Sequence, residues 1–261
     1  HGHCYVNDAF GAAHRAHAST TQLASFFPNA KMAGLLMNAE IENAKKVLLH
    51  AERPFTAIVG GAKVSDKILI VENLLNLADH IIIGGGMAYT FFKALGGHIG
   101  NSLCETERLD TCLEILNKAK TKGVQIHLPI DAIAADRFAA DANTQIEPSN
   151  AISEDRMGLD IGPKAIADFE AVLLQSKTIL WNGPMGVFEM PAFENGTKSM
   201  ALAVASATKN GAFSLIGGGD SAAAVQKFEL SSQVSYVSTG GGALLEYFEG
   251  KVLPGVEALE A

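Results

Sequence analysis

Ala57-Ile58-Val59-Gly60-Gly61-Ala62-Lys63 runs an apolar segment straight into paired glycines and then toward a helix-like segment. Four further stretches repeat that order. They are Ile81-Ile82-Ile83-Gly84-Gly85-Gly86-Met87, Ile179-Leu180-Trp181-Asn182-Gly183-Pro184-Met185-Gly186, Leu215-Ile216-Gly217-Gly218-Gly219-Asp220-Ser221 and Tyr236-Val237-Ser238-Thr239-Gly240-Gly241-Gly242. A glycine turn after a buried strand lets the backbone approach a ligand and leaves N–H groups free at a helix start. Five such junctions point to one sheet edge built to hold something phosphorylated.

Outward from the first junction, strand-like runs fall at 55–60, 79–84, 124–130, 177–181, 213–217 and 234–238. Helix-like runs fall near 64–77, 87–95, 105–122, 163–175, 195–207, 221–228 and 242–248. Continuous apolar strands alternating with amphipathic helices specify an α/β fold, a Rossmann-like parallel sheet covered by helices on both faces. Ligands of such sheets bind beyond the C-terminal strand ends, where all five junctions fall. Residues 131–157, rich in Ala, Asp and Asn, read as short strands and loops. Residues 39–51 follow helical spacing, with Ile41, Ala44, Val47 and Leu48 on one face and Glu40, Glu42, Lys45 and Lys46 elsewhere. Arg53-Pro54 stops that helix, which reads as an interdomain connector. The tail after residue 245 is too short for a core and is expected to pack back on the rest.

The chain has 261 residues, 48% of them hydrophobic and 18% charged, a balance that excludes a disordered chain. Its net charge of −8 argues against a general nucleic-acid binder. Cys4, Cys104 and Cys112 show no CxxC spacing, so a disulfide framework is not expected and a reducing cytoplasm fits best. No apolar run approaches the length of a membrane span. The start, His1-Gly2-His3-Cys4, reads as the middle of a domain and suggests a piece of a longer protein.

Lys63 and Lys67 stand four residues apart at the first junction. They are either phosphate holders on one side of a helix start or a solvated surface pair. Gly217 to Ala222 matches GxGxxA, but no acidic residue ends the next strand at Ser238, which counts against a dinucleotide site. Asp220 is a candidate Mg²⁺ ligand beside phosphates, a helix N-cap, or both. There is no GxxxxGK[ST], GxSxG or HExxH string. Trp181 is expected in the core, and Glu189 is placed to accept hydrogen bonds from a ribose. His1, His3, Cys4, His14 and His17 lack standard zinc spacing. Arg15 suits a carboxylate or phosphate.

Taken in order, these strings resemble the phosphoglycerate kinase family. The resemblance rests on Tyr5 to Gly11, Ala13 to Ser19, Arg53-Pro54-Phe55, Gly60 to Lys67, Ile83 to Ala88, Trp181 to Glu189, Gly217 to Ser221 and Ser238 to Ala243. It implies two lobes. Residues 1–38 would be the end of the phosphoglycerate-binding lobe, 39–52 the interdomain helix and 53–245 the nucleotide lobe. Residues 246–261 would be a tail packing toward the first lobe. It implies reversible phosphoryl transfer between 1,3-bisphosphoglycerate and ADP, with Mg²⁺ as the cofactor of ADP or ATP, in a cytoplasmic enzyme that is monomeric when complete. Lys63 would steady the transferring group and Lys67 the nucleotide phosphates. Asp220 would hold Mg²⁺, with Gly218, Gly219 and Ser221 around the phosphates. Gly84, Gly85, Gly158 and Asn182 would line the adenosine site, and Glu189 would take the ribose. Thr239, Gly240 and Gly241 would present N–H groups to the moving phosphoryl, and Arg15 and Arg53 would face phosphoglycerate. Asn101 replaces a lysine common in bacterial members, and most of the family's substrate lobe has no counterpart here. The expectation is a chain that binds nucleotide and turns over weakly or not at all. A non-catalytic nucleotide-binding module is the alternative, and a nicotinamide-dependent dehydrogenase rests on GxGxxA alone.

Overall fold

The structure, a computed structural model, describes residues 2–260. Strands β1 (Tyr5–Asn7) and β2 (Lys31–Ala33) pair in parallel ahead of helix α1 (Leu35–Leu48). Then follow β3 (Phe55–Val59), α2 (Ile68–Leu74), β4 (His80–Ile83), α3 (Met87–Ala94), β5 (His98–Ile99), α4 (Leu109–Lys122) and β6 (Gln125–His127). A middle section holds β7 (Asp131–Ala135), β8 (Thr144–Pro148), β9 (Ala151–Ile152) and β10 (Met157–Ile161). The chain continues through α5 (Pro163–Gln175), β11 (Thr178–Asn182), α6 (Asn195–Lys209), β12 (Phe213–Gly217) and α7 (Gly219–Lys227). It closes with β13 (Tyr236–Val237), α8 (Gly242–Phe248) and α9 (Pro254–Glu260).

Six parallel strands form the main sheet in the order β13-β12-β11-β3-β4-β6. Every residue of β3 and β11 is buried, which is why those segments read as unbroken apolar runs. Their side chains divide by the two-residue period of a strand. Phe55, Ala57, Val59, Ile81 and Leu180 enter one core with Met37 and Val47 of α1 and Leu244 of α8. Ile58, Ile82, Trp181 and Ile216 enter the other with Phe169 of α5 and Met200 of α6. The chain first builds outward from β3 to β6, then returns to β11 and builds the other way. The topological switch therefore lies between β3 and β11, where such sheets take their ligands. The middle section forms a separate antiparallel sheet, β10-β7-β8, beside the switch.

Helix α1 begins at Leu35, four residues before the spacing predicts. Gly34 is extended, and the Asp8 carboxylate accepts the Met37 N–H at 2.8 Å, capping the helix from another segment. Met37 is thereby buried, while Leu35 and Leu36 of the same apolar run face out. Helix α2 also corrects the sequence reading. It starts at Ile68, so Lys63 and Lys67 lie in the turn before it rather than on its face. The Glu105 carboxylate fixes that turn, accepting the Ser65 N–H at 3.0 Å and its hydroxyl at 2.6 Å. Near the other end, the Gly255 N–H of α9 donates to Ala13 O at 2.9 Å and Asn7 Nδ2 donates to Gly255 O at 3.3 Å. Among the described residues no helix is long and apolar enough to cross a membrane.

Candidate functional site

The first three glycine junctions lock onto one another at the switch point. The Gly60 N–H donates to Asn182 O at 2.9 Å, and the Gly61 N–H to Pro184 O at 3.1 Å. The Gly85 N–H donates to Met185 O at 3.0 Å and the Met87 N–H to Gly61 O at 3.0 Å. This backbone contact leaves no room for side chains. A Cβ on Gly60 would overlap the Pro184 carbonyl, and one on Gly183 the Gly60 carbonyl. Gly84 is buried under Met185 and takes no part in the cleft wall, whereas Gly85 and Gly86 do. Several of these glycines thus serve the packing of three loops, and the ligand surface is what remains exposed above them.

Two adjoining clefts open there. The larger, about 460 Å³, is walled by Gly61, Gly85, Gly86, Gly158, Pro184 and Gly186. Leu103, Phe138, Leu159 and Val187 supply apolar surface, and Glu189 and Asn101 lie at its border. The smaller, about 220 Å³, is polar and is lined by Lys67, Asn182, Gly183, Gly218, Gly219, Gly241 and Gly242. Asp220 borders both. An apolar slot with convergent polar groups beside a charged cleft is the shape of a small-molecule site with an anionic end.

The charged cleft has the donors an anion needs. Helix α7 points its N-terminus into it, and among the described residues the N–H groups of Gly219, Asp220 and Ser221 have no acceptor. Gly218 adopts φ +88°, a turn that only glycine makes without strain. The Lys67 ammonium donates to Asn182 Oδ1. Burial pushes Lys67 below its usual range, against the pull of Asp66, Asp220 and Glu249. A desolvated ammonium so placed strengthens its hold on an anion that replaces water.

The fifth junction is arranged differently from the expectation. The Thr239 N–H donates to Glu40 Oε1 at 2.7 Å, and the Gly240 N–H to Ser238 Oγ at 3.0 Å. Those two donors are engaged within the protein. Among the described residues the Gly241 and Gly242 N–H groups have no acceptor, and both line the polar cleft. Gly240 packs on Phe10 instead. Glu40 is the residue that sequence reasoning missed. It is fully buried, and its other oxygen accepts the Ser238 hydroxyl at 2.6 Å. The hydroxyl of Thr239 adds a further bond at 2.9 Å. Burial, then the Glu40 carboxylate, pushes the Tyr236 phenol up to about 12.

Other expected site residues distribute unevenly. Ser221 is buried, and its Oγ accepts the Gly183 N–H at 2.6 Å, tying the fourth junction to the third. Its hydroxyl therefore acts as a tether. Lys63 is exposed, within electrostatic reach of Glu105, and does not line the polar cleft. Arg15 is exposed, one residue after His14, whose ring lies beside Gly242 with its Nδ1 unpartnered among the described residues. Arg53 requires correction. It precedes β3, at the sheet edge opposite the junctions, and is paired with Asp79. A five-residue strand at about 3.3 Å per residue separates it from the cleft.

The residues present fit a nucleotide with Mg²⁺. The apolar slot matches a base, Glu189 can accept ribose hydroxyls, and the α7 N-terminus with Lys67 matches phosphate oxygens. No group of three or more His, Cys, Asp or Glu side chains gathers among the described residues. Asp220 alone suits Mg²⁺, which takes one or two carboxylates together with substrate phosphates and water. Gly158 sets the slot's depth. Its N–H donates to Ser102 Oγ at 3.0 Å, and an added Cβ would overlap the buried Tyr89 hydroxyl. Gly158→Ala is expected to cost about 1–3 kcal/mol of stability, read as a lower urea midpoint with unchanged slope.

Residues 1–251 match the family model described as phosphoglycerate kinase. The chain is 57% identical over 258 residues to the phosphoglycerate kinase of Porphyromonas gingivalis, covering 98% of this chain and 62% of that protein. It is 52% identical over 256 residues to that of Dictyoglomus turgidum, covering 98% and 64%. Among solved structures, phosphoglycerate kinase from Coxiella burnetii superposes with a TM-score of 0.94 at 45% identity, over 99% of this chain and 65% of that one. The Pyrococcus horikoshii enzyme superposes with a TM-score of 0.83 at 32% identity, over 98% and 64%. The chain thus spans less than two thirds of the length of the relatives it matches. With the family model matched over residues 1–251 and solved relatives that superpose on nearly the whole of it, this chain belongs to the phosphoglycerate kinase family.

Proposed function

We propose that the chain carries the nucleotide half of a phosphoglycerate kinase, transferring a phosphoryl group between 1,3-bisphosphoglycerate and ADP in glycolysis. The observation that carries this reading is Asp220 at the border of an apolar slot and a polar cleft, on the N-terminus of α7. The base would lie in the slot, with the ribose at Glu189. The phosphates would lie against the N–H groups of Gly219 to Ser221 and against Lys67. Mg²⁺ held by Asp220 would neutralise phosphate charge. Lys63 would reach the transferring group after a movement of its exposed side chain. Gly241 would donate its N–H to that group. Arg15 would meet the phosphoglycerate anion. Phosphoryl transfer needs alignment and charge neutralisation more than covalent help, and these groups supply both.

On this reading the 261-residue chain binds ADP and by itself turns over weakly or not at all. The complete protein would work as a monomer in the cytoplasm, where the three free cysteines of this chain stay reduced, with neither nucleic acid nor membrane as partner. The test is calorimetric titration of ADP with and without Mg²⁺, on the parent chain and on Asp220→Ala. The parent should bind tighter with Mg²⁺, and the variant should lose most of that gain while retaining weak metal-free binding. Equal Mg²⁺ dependence in both would remove Asp220 from the metal site. No ADP binding by the folded parent would overturn the reading.

A further inference from the structure

Two imidazoles meet on the face of the sheet covered by α5, below the cleft level. His80 opens β4 and His127 ends the edge strand β6. The parallel register sets His80 opposite Gln125 and Ile82 opposite His127, so both histidines project on the same face as Ile82. His80 Nδ1 and His127 Nε2 stand 3.1 Å apart, with ring centroids 5.2 Å apart and planes inclined by 42°. Both rings are half-buried.

We propose that this pair is a clamp for a divalent first-row transition cation such as Zn²⁺, stapling the edge strand to its neighbour. The spacing supports it. Two metal–nitrogen bonds of about 2.0–2.1 Å place their nitrogens about 2.9 Å apart at a right angle and about 3.4 Å apart at a tetrahedral one. The observed separation lies between these limits. Without a cation the same two atoms share one N–H proton. To bind, that proton moves to the far nitrogen of its own ring, so a neutral pair accepts the cation with no proton lost. Burial, then the neighbouring His80, holds His127 below its usual range. Asp168 on α5, exposed and within electrostatic reach of His127, favours a cation there. No third ligating side chain converges on the pair among the described residues, so water completes the coordination.

The test is calorimetric titration of the 261-residue chain with Zn²⁺ near neutral pH. His1, His3 and Cys4 offer a rival chelate at the chain start, so H3Q serves as the control. The parent and H3Q should share one binding step that H80Q and H127Q each weaken by at least about tenfold, the loss that even outer-shell partners cause. Mg²⁺ in excess should not compete, because it prefers oxygen ligands. Imidazole ¹⁵N spectra of the parent chain need no variant, and Zn²⁺ should shift the resonances of His80 and His127 together. Identical isotherms in the parent, H80Q and H127Q would overturn the proposal. So would Zn²⁺-induced shifts confined to the other histidines.

Discussion

Glu40→Ala is expected to lower the unfolding free energy by roughly 3–5 kcal/mol, from buried donors left unpaired and a cavity left unfilled. The Ser238 hydroxyl, the Thr239 N–H and the Thr239 hydroxyl all end on this carboxylate, and the carboxylate itself is wholly removed from water. Truncation would leave those donors around a void against α1, where water can re-pair only some of them. The damage should be local as well as global. Exchange of the Thr239 amide should accelerate, because its one acceptor among the described residues is gone, while amides of β3 stay protected to the global limit. Glu40→Gln keeps one carbonyl oxygen and should cost less, since the Ser238 hydroxyl can turn to accept from the new amide. An unfolding free energy for Glu40→Ala within about 1 kcal/mol of the parent, on the order of a single surface change, would show that the fifth junction holds its shape without this carboxylate.

That residue also marks where sequence reading stopped. The four central strands, β3, β4, β11 and β12, are legible because a strand buried on both faces is a short unbroken apolar run, as in Ile81-Ile82-Ile83. The helices around them were legible by period. A face drawn through Ile41, Ala44, Val47 and Leu48 leaves Glu40 off the apolar side of its helix. Its spacing from Met37, Ala44 and Val47 nonetheless puts it on the buried face, and those are the buried residues of α1. The signal was present, and the expectation that a charged residue faces water overrode it. Arg53 failed for a different reason. Adjacency to a strand does not say which end of the strand, and Arg53 stands before β3 while the glycines stand after it.

The glycines were half legible. Their number correctly marked one sheet edge, but a sequence cannot separate a glycine that admits a ligand from one that admits another loop. Gly60, Gly84 and Gly183 belong to the second kind, by the overlaps a Cβ would meet. A Cβ at Gly219 or Gly241 would meet nothing within 4 Å, so their surroundings are open. Lys63 and Lys67 separate similarly. The Ser65–Glu105 bonds hold the turn that leaves one lysine exposed and brings the other into the polar cleft, and Glu105 is forty residues away in sequence.

The other large effect concerns pH. Asp160, near the end of β10 beneath the apolar slot, is 3% exposed, with no cation beside it among the described residues. Its carboxylate accepts the Gly196 N–H at 2.7 Å and the Ile161 N–H at 2.9 Å, and Gly186 packs directly on it. Burial outweighs those two donors and pushes the group from its ordinary 3.8 up to about 7. The sign follows from proton counting. Between these values the folded chain holds a proton that the unfolded chain has released, so stability falls as pH rises through this window. Below it both states are protonated and the group contributes nothing; above it the full cost is present. At 1.36 kcal/mol per unit, a shift of this size is worth about 4 kcal/mol at the upper end. Glu105 is shifted down and tilts the parent's profile the other way, so the informative quantity is a difference. Asp160→Asn cannot titrate, and its amide oxygen can still accept from Gly196. Its stability relative to the parent should therefore climb by up to about 4 kcal/mol between acid and neutral pH, measured by urea unfolding across that range. A flat difference would mean that two backbone donors suffice to keep a buried carboxylate charged. In that case the loop at Gly186 would rest on a permanent anion rather than on a group that gains and loses its proton near neutrality.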